Sequence, residues 1–200
     1  MRRIGIYGGS FNPPHLGHLI VASYAKQACG LDRVLMMLSP LNPHKVDSLD
    51  LASDESRMEM LSLACREIEG VEASDFELQL PRPSYTCTTL RQLRHLYPDD
   101  EISLIVGGDN FVKFNRWRDY QEILTNHRLI VYPRPGEIIP SDEQLGLELA
   151  GDVEIEILNH APALEISSSF IRDQIRSGHS INAYVPGEVA SYIKSHNLYK

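Results

Sequence analysis

The 200 residues, 42% apolar and 23% charged, suffice for a single domain whose core needs no disulfide or metal to close it. A formal charge of −8 argues against sequence-independent binding of nucleic acid, which needs a broad basic face, so an anionic ligand must meet a local positive pocket. Cys29, Cys65 and Cys87 are odd in number and form no Cys-x-x-Cys pair, which indicates neither a disulfide framework nor a zinc ribbon and suits a reducing cytoplasm.

Arg2 and Arg3 precede too few apolar residues for a signal-peptide core, and no apolar stretch is long enough to span a bilayer, so the chain reads as soluble, cytoplasmic and without membrane contact. Residues 3–7 form a short β-type run ending in Gly8-Gly9, and a helix over Leu16–Ala28 follows Pro13-Pro14. Arg33–Leu38 is continuously apolar after its first residue, as in a parallel strand covered on both faces. From Ser53 the spacing becomes helical: Met58, Leu61, Cys65 and Ile68 step by three or four, with Ser53 as N-cap and Asp54 and Glu55 in the first turn. Leu90, Leu93 and Leu96 mark another helical stripe, and residues 102–106 and 129–132 two further strands. Residues 133–151, with three prolines and an acidic stretch, read as a surface excursion and not as a domain linker. Residues 153–158 resemble a last strand, 168–177 a short helix, and 186–195 a closing helix with Pro186 near its start. Strands alternating with helices predict crossover connections and a parallel α/β sheet within one domain over residues 1–200.

Two segments carry most of the chemistry. Gly8-Gly9-Ser10-Phe11-Asn12-Pro13-Pro14-His15-Leu16-Gly17-His18 lies between a strand end and a helix start, where open α/β sheets bind ligands. Glycines there let main-chain N–H groups approach a phosphate, and the helix end adds partial positive charge. With a helix starting near Pro14, His15 and His18 share a face and both reach one anion, and Gly17 leaves that face uncrowded. Taken alone, the segment also fits a plain tight turn, and His15 with His18 fits a zinc pair, though acidic residues and cysteines at ligand spacing are lacking nearby. Gly-x-Gly-x-x-Gly and Walker sequences are absent. The second segment, Ile166-Ser167-Ser168-Ser169-Phe170-Ile171-Arg172, opens a helix with hydroxyls at its N-terminus and an arginine within the first turn; alone it also fits a capped surface helix.

GGSFNPPHLGH resembles the His-x-Gly-His signature of the nucleotidyltransferase superfamily in its nicotinate-nucleotide adenylyltransferase form. The resemblance implies a Rossmann-like, doubly wound parallel sheet with helices on both faces. It implies that Gly8, Gly9, Ser10 and Phe11 line an ATP site, with His15 and His18 meeting the triphosphate and the charge developing at the α-phosphorus. ISSSFIR resembles the superfamily's Ile-Ser-Ser-Thr-x-Ile-Arg, which implies phosphate contacts for Ser168, Ser169 and Arg172 and a catalytic role for Arg172. Pro43-His44-Lys45 resembles a Pro-His-Lys element and implies a substrate phosphate contact for Lys45, a residue type otherwise most often solvated. Ala52-Ser53-Asp54-Glu55-Ser56-Arg57 fits Ala-Ser-x-x-x-Arg, with Ser53 and Arg57 expected to be mainly structural.

Pro83-Ser84-Tyr85-Thr86 matches a Pro-Ser-Tyr-Thr element, which implies Tyr85 and Thr86 near the nicotinate ring and its carboxylate. Thr88 stands where the family commonly carries Asp, and a threonine there is expected to be able to cap the helix. Gly107-Gly108-Asp109 resembles Gly-x-Asp and implies that Asp109 binds both nucleotides. Trp117 aligns with a tryptophan expected to stack on the pyridine ring; as the only tryptophan it also fits a core aromatic. Arg134-Pro135-Gly136 matches an Arg-Pro-Gly tail.

No acid–base pair or covalent triad stands out. A phosphate monoester has a second pKa of about 6, so an attacking phosphate is already ionised near neutrality and needs alignment and charge neutralisation more than proton removal. The resemblance thus implies transfer of AMP from MgATP to nicotinate mononucleotide, giving deamido-NAD and pyrophosphate. Mg²⁺ would ride on the ATP phosphates without protein side-chain ligands. The partners are these small molecules, with no nucleic acid, and homo-oligomerisation is left open. Phosphopantetheine adenylyltransferase shares both phosphate motifs, but Trp117 and the Pro-Ser-Tyr-Thr element favour the pyridine nucleotide. A non-catalytic nucleotide sensor would bind ATP without releasing pyrophosphate.

Overall fold

The computed structural model describes residues 1–40, 51–133 and 153–200. The sheet has six strands, β1 (Arg3–Gly9), β2 (Arg33–Leu38), β3 (Val71–Ser74), β4 (Glu101–Gly107), β5 (Arg128–Tyr132) and β6 (Ile155–Ile157), in the order β3-β2-β1-β4-β5-β6. Every neighbouring pair is parallel. This is the doubly wound, Rossmann-like arrangement, and the strand order reverses between β1 and β4, where such sheets open a crevice at their carboxyl ends.

The apolar run of β2 is explained by its two faces. Val34, Met36 and Leu38 enter one core layer together with Leu19 and Ala22 of α1 (Leu16–Ala28), Met60 and Leu61 of α2 (Asp54–Cys65), Ile171 of α6 (Ser168–Arg176) and Val189 of α7 (Gly187–Ser195). Leu35 and Met37 enter the opposite layer, with Leu90 and Leu93 of α3 (Thr86–Leu96), Phe111 of α4 (Gly108–Phe111) and Ile123 of α5 (Tyr120–Asn126). Side chains alternate across a strand, so a strand buried on both faces must be apolar at successive positions.

Several local expectations are corrected. β1 continues through Gly8 and Gly9, which stay in register with Met37 and Leu38. Ser53 does cap α2, its hydroxyl accepting the Ser56 N–H at 3.1 Å. The buried face of that helix is Arg57, Met60, Leu61, Ala64 and Cys65, so Met58 lies on its shoulder and Ile68 beyond its end. Leu96 is 55% exposed because Cys87, Thr89, Leu90 and Leu93 already form the packed face of α3. β6 is shorter than residues 153–158, and α6 ends at Arg176.

β3, α4 and α5 have no counterpart in the sequence reading. β3 is four residues with only Val71 buried, and α5 is seven residues with only Ile123 and Leu124 buried, too short to show a period. All three cysteines are buried thiols. Among the described residues no helix is long and apolar enough to cross a membrane. Pro43, His44, Lys45, the Arg134-Pro135-Gly136 tail and nearly all of the 133–151 excursion lie outside the described residues.

Candidate active site

The loop between β1 and α1 is held by its carbonyl oxygens. Ser10 O accepts Arg57 Nη1 at 2.6 Å, Asn12 O accepts Arg172 Nη1 at 2.8 Å, and Pro13 O accepts the Ser168 hydroxyl at 2.9 Å. Three negative dipole ends are thus neutralised beside the segment that reads as an anion site. Phe11 sits in the left-handed region at φ 43°, a costly conformation for a bulky residue, and its ring is buried in the first core layer. Arg57 is fully buried: it also donates to Ser39 O at 3.1 Å and pairs with Asp54 at 2.6 Å, so it clamps the ends of β1 and β2 together.

His15 is the N-cap of α1, and His18 is its third helical residue. The imidazoles stack with centroids 3.6 Å apart and planes at 22°. His15 Nδ1 accepts the His18 N–H, and His18 Nδ1 accepts the His15 N–H, both at 3.3 Å, a reciprocal capping box built from two histidines. An Nδ1 that accepts must carry its lone pair, so in each neutral ring the proton is on Nε2. Gly17 is needed for this arrangement, since a Cβ there would lie 2.9 Å from His15 Nδ1.

The second segment meets the first on the same face of the sheet. Ser167 caps α6, its hydroxyl accepting the Phe170 N–H at 3.2 Å. Arg172 therefore falls in the second turn and not the first. From there its guanidinium reaches Asn12 O and, at 3.2 Å, the Ser169 hydroxyl.

Two cavities flank this clamp at the carboxyl ends of the strands. One of about 150 Å³ is walled by Gly8, Met37, Glu77, Thr86, Gly107 and Trp117 among others, and a smaller one of about 50 Å³ by Tyr7, Gly17, Val21, Gly107, Tyr132 and Ile166 among others. Tyr7 and Gly107 line both, so the β1–β4 crevice divides into two adjoining compartments. A larger cavity of about 310 Å³ lies at the opposite ends of β4 and β5, away from every motif residue; size does not select the site.

Of the remaining expected residues, Thr86 and Trp117 line the larger compartment, and Trp117 also packs on Phe114 with centroids 5.0 Å apart, so it is both wall and core. Tyr85 is outside that wall, 39% exposed under the Arg118 guanidinium. Thr88 does not cap α3: the cap position is Tyr85, and Thr88 is the third helical residue of a first turn that carries no acidic group. Asp109 stands in the first turn of α4, just beyond Gly107, whose Cβ would meet its Oδ1 at 2.6 Å.

Glu77 was not anticipated. It is 8% exposed, lines the larger compartment, and accepts the Ser39 hydroxyl at 3.1 Å and the Ser84 hydroxyl at 2.8 Å. Burial pushes its carboxyl above the ordinary value against the pull of those two donors. Ser39 in turn gives its N–H to Gly9 O at 2.9 Å. Gly9, Ser39, Glu77 and Ser84 thus connect the end of β1 to the segment bearing Tyr85 and Thr86. Among the described residues no group of three or more His, Cys, Asp or Glu side chains is placed to hold a metal ion.

The profile of the cytidylyltransferase-like family matches residues 6–174. A Flavobacterium johnsoniae protein named probable nicotinate-nucleotide adenylyltransferase is 42% identical over 198 residues, covering 99% of each chain. A Thermus thermophilus protein of the same name is 38% identical over 99% of this chain and all of its own. Among solved structures, the Plasmodium falciparum nicotinic acid mononucleotide adenylyltransferase complexed with NaAD superposes with a TM-score of 0.79 at 20% identity, over 100% of this chain and 98% of that one. At that identity the likeness supports the fold.

Proposed function

Because the chain belongs to the cytidylyltransferase-like family, and within it to the nicotinate-nucleotide adenylyltransferases, we propose that it transfers AMP from MgATP to nicotinate mononucleotide, giving deamido-NAD and pyrophosphate. The supporting observation is the joining of two motifs 155 and 160 positions apart by the Ser168–Pro13 and Arg172–Asn12 hydrogen bonds, beside a two-part crevice.

In this reading the ionised phosphate of the mononucleotide attacks the α-phosphorus in line. The bond from that phosphorus to the bridging oxygen breaks, and pyrophosphate leaves with the electron pair. The chain's part is to orient both phosphates and neutralise charge. His15 and His18, with Nδ1 committed to capping, present Nε2–H as the donor for phosphate oxygens. Arg172, Ser168 and Ser169 at the start of α6 and the main chain of Gly8 to Phe11 surround the triphosphate, and Asp109 takes nucleotide hydroxyls. Thr86 and Trp117 receive the pyridine ring, with Tyr85 at the rim, and Lys45 meets a substrate phosphate. Imidazole, guanidinium and hydroxyl donors fit phosphate oxygens, and Mg²⁺ enters as part of the substrate MgATP. The whole chain acts as one nucleotidyltransferase domain in a reducing cytoplasm.

Pyrophosphate release by the purified chain with MgATP is expected with nicotinate mononucleotide and to be much slower with nicotinamide mononucleotide or phosphopantetheine. Turnover confined to phosphopantetheine would overturn the assignment, and tight MgATP binding without pyrophosphate would make the chain a sensor.

A further inference from the structure

Asn12 is the point where distant stretches of chain meet. Its side-chain Oδ1 accepts the Ala52 N–H at 3.1 Å and the Tyr199 hydroxyl at 2.7 Å, while its main-chain carbonyl holds Arg172. An N–H can only donate, so the atom facing Ala52 is the amide oxygen and the orientation of the side chain is settled. That oxygen has two lone pairs, and Ala52 and Tyr199 occupy both. Asn12 is 4% exposed, so water does not readily take the place of either donor.

Tyr199 reaches Asn12 from 187 positions away, and the segment after α7 is bent to bring it there. Asn197 and Tyr199 both occupy the left-handed region, at φ 52° and 64°, which asparagine tolerates and a bulky tyrosine does not favour. Leu198 between them returns its N–H to Ile193 O at 3.1 Å, and Leu198 and Tyr199 pack against the first core layer. Burial raises the Tyr199 hydroxyl above its ordinary value, while the charges of Arg172 and Arg57 act in the opposite sense. The group is therefore a neutral donor near neutrality, within electrostatic reach of both arginines that hold the loop.

We infer that Tyr199 is a positioning residue for the phosphate loop: its hydroxyl sets the Asn12 side chain, and through it the carbonyl that anchors Arg172. The segment following α7 thereby takes part in the MgATP half of the site by acting through Asn12. This rests on the reading of that loop as the triphosphate site.

Tyr199→Phe removes the hydroxyl and keeps the ring that packs. It is expected to lower kcat/KM for MgATP by about three- to tenfold, the scale of one lost hydrogen bond to a buried acceptor, with KM for nicotinate mononucleotide within about twofold of wild type. Combined with Asn12→Ala, it should add no further loss beyond that of Asn12→Ala alone, because both act through one contact. Unchanged MgATP kinetics with a lowered Tm would reduce Tyr199 to scaffold, and an equal loss for both substrates would equally overturn the inference. If the wild-type chain releases no pyrophosphate, the adenylyltransferase reading fails by itself; equilibrium binding of MgATP then decides this inference, and equal Kd values for wild type and Tyr199→Phe overturn it.

Discussion

His15 and His18 cap each other's main chain through their Nδ1 atoms, both at 3.3 Å, while their rings stack 3.6 Å apart. Each histidine therefore holds the helix start, and in the proposed mechanism its Nε2 side is the part that meets phosphate. The two duties can be separated at His18. Asparagine keeps an acceptor bonded to Cγ, where Nδ1 was, and deletes the Nε2 side; alanine deletes both. His18→Asn is expected to keep the wild-type Tm within experimental scatter and to lose about a hundred- to thousandfold in kcat, the usual result of removing one preorganised donor. His18→Ala should lose as much activity and about 1 kcal/mol of stability besides, the worth of a cap. Steady-state kinetics with thermal unfolding checks both, and an unchanged rate in His18→Asn would take His18 out of the mechanism.

Glu77 links Ser39 at the end of β2 to Ser84, directly before Tyr85 and Thr86. Glu77→Gln retains an oxygen acceptor and has nearly the same volume, whereas Glu77→Leu leaves both hydroxyls facing an apolar group, a cost of about 1–3 kcal/mol. KM for nicotinate mononucleotide should therefore rise about tenfold in Glu77→Leu and stay within about threefold in Glu77→Gln, with KM for MgATP less affected in both. Equal changes for the two substrates would mean that the link does not favour the Ser84 side.

How much of this was legible before folding depends on the range of the interaction. β2 shows itself because a strand buried on both faces has no polar option, and α1 because its start is marked by prolines and the loop before it by glycines. The pairing of Ser168 to Arg172 with the first loop was expected only through resemblance; its physical form, carbonyl oxygens of Asn12 and Pro13 held by Arg172 and Ser168, is a long-range contact with no local pattern. Glu77 lies in a short 3-10 turn, Phe76–Gln79, where a single carboxylate reads as solvated; its burial depends on Ser39, 38 positions earlier. Tyr199 was invisible for the same reason. Thr88 was misplaced because the cap of α3 is Tyr85, and Arg172 because a helix that starts at Ser168, as expected, already leaves it beyond the first turn. Lys45 lies outside the described residues.

Arg57 ties the β1–α1 loop to the sheet from within the core. It is fully buried and joins Ser10 O, Ser39 O and Asp54. Arg57→Met fills similar volume but leaves two buried carbonyl oxygens without their donor, while Asp54 keeps its pairing with Arg82 at 2.8 Å, so the expected cost is about 1–3 kcal/mol. Urea denaturation should show a lowered midpoint, and MgATP turnover should fall in the remaining folded fraction because Ser10 is released. A loss under about 1 kcal/mol would mean that the clamp is replaceable by packing.

The pH response of stability should come in part from the end of the sheet remote from the site. His127 is 8% exposed, with Nδ1 3.0 Å from Ile102 O, and burial is the largest influence, holding its imidazole below the ordinary 6.5. The folded state thus favours the neutral ring, while the unfolded chain takes up a proton as pH falls through about 6.5. Between the folded value and 6.5 the unfolded state binds more protons, so stability rises with pH across that window and is fully present above it. The nearby Arg94 charge reinforces the shift, and Glu122 and the Ile102 carbonyl oppose it. Urea midpoints compared at about pH 5 and pH 7.5 should differ more for wild type than for His127→Gln, which cannot titrate. An equal difference in the two proteins would assign the acid sensitivity to other groups, since only the histidine has been removed and the rest of the titrating set is shared.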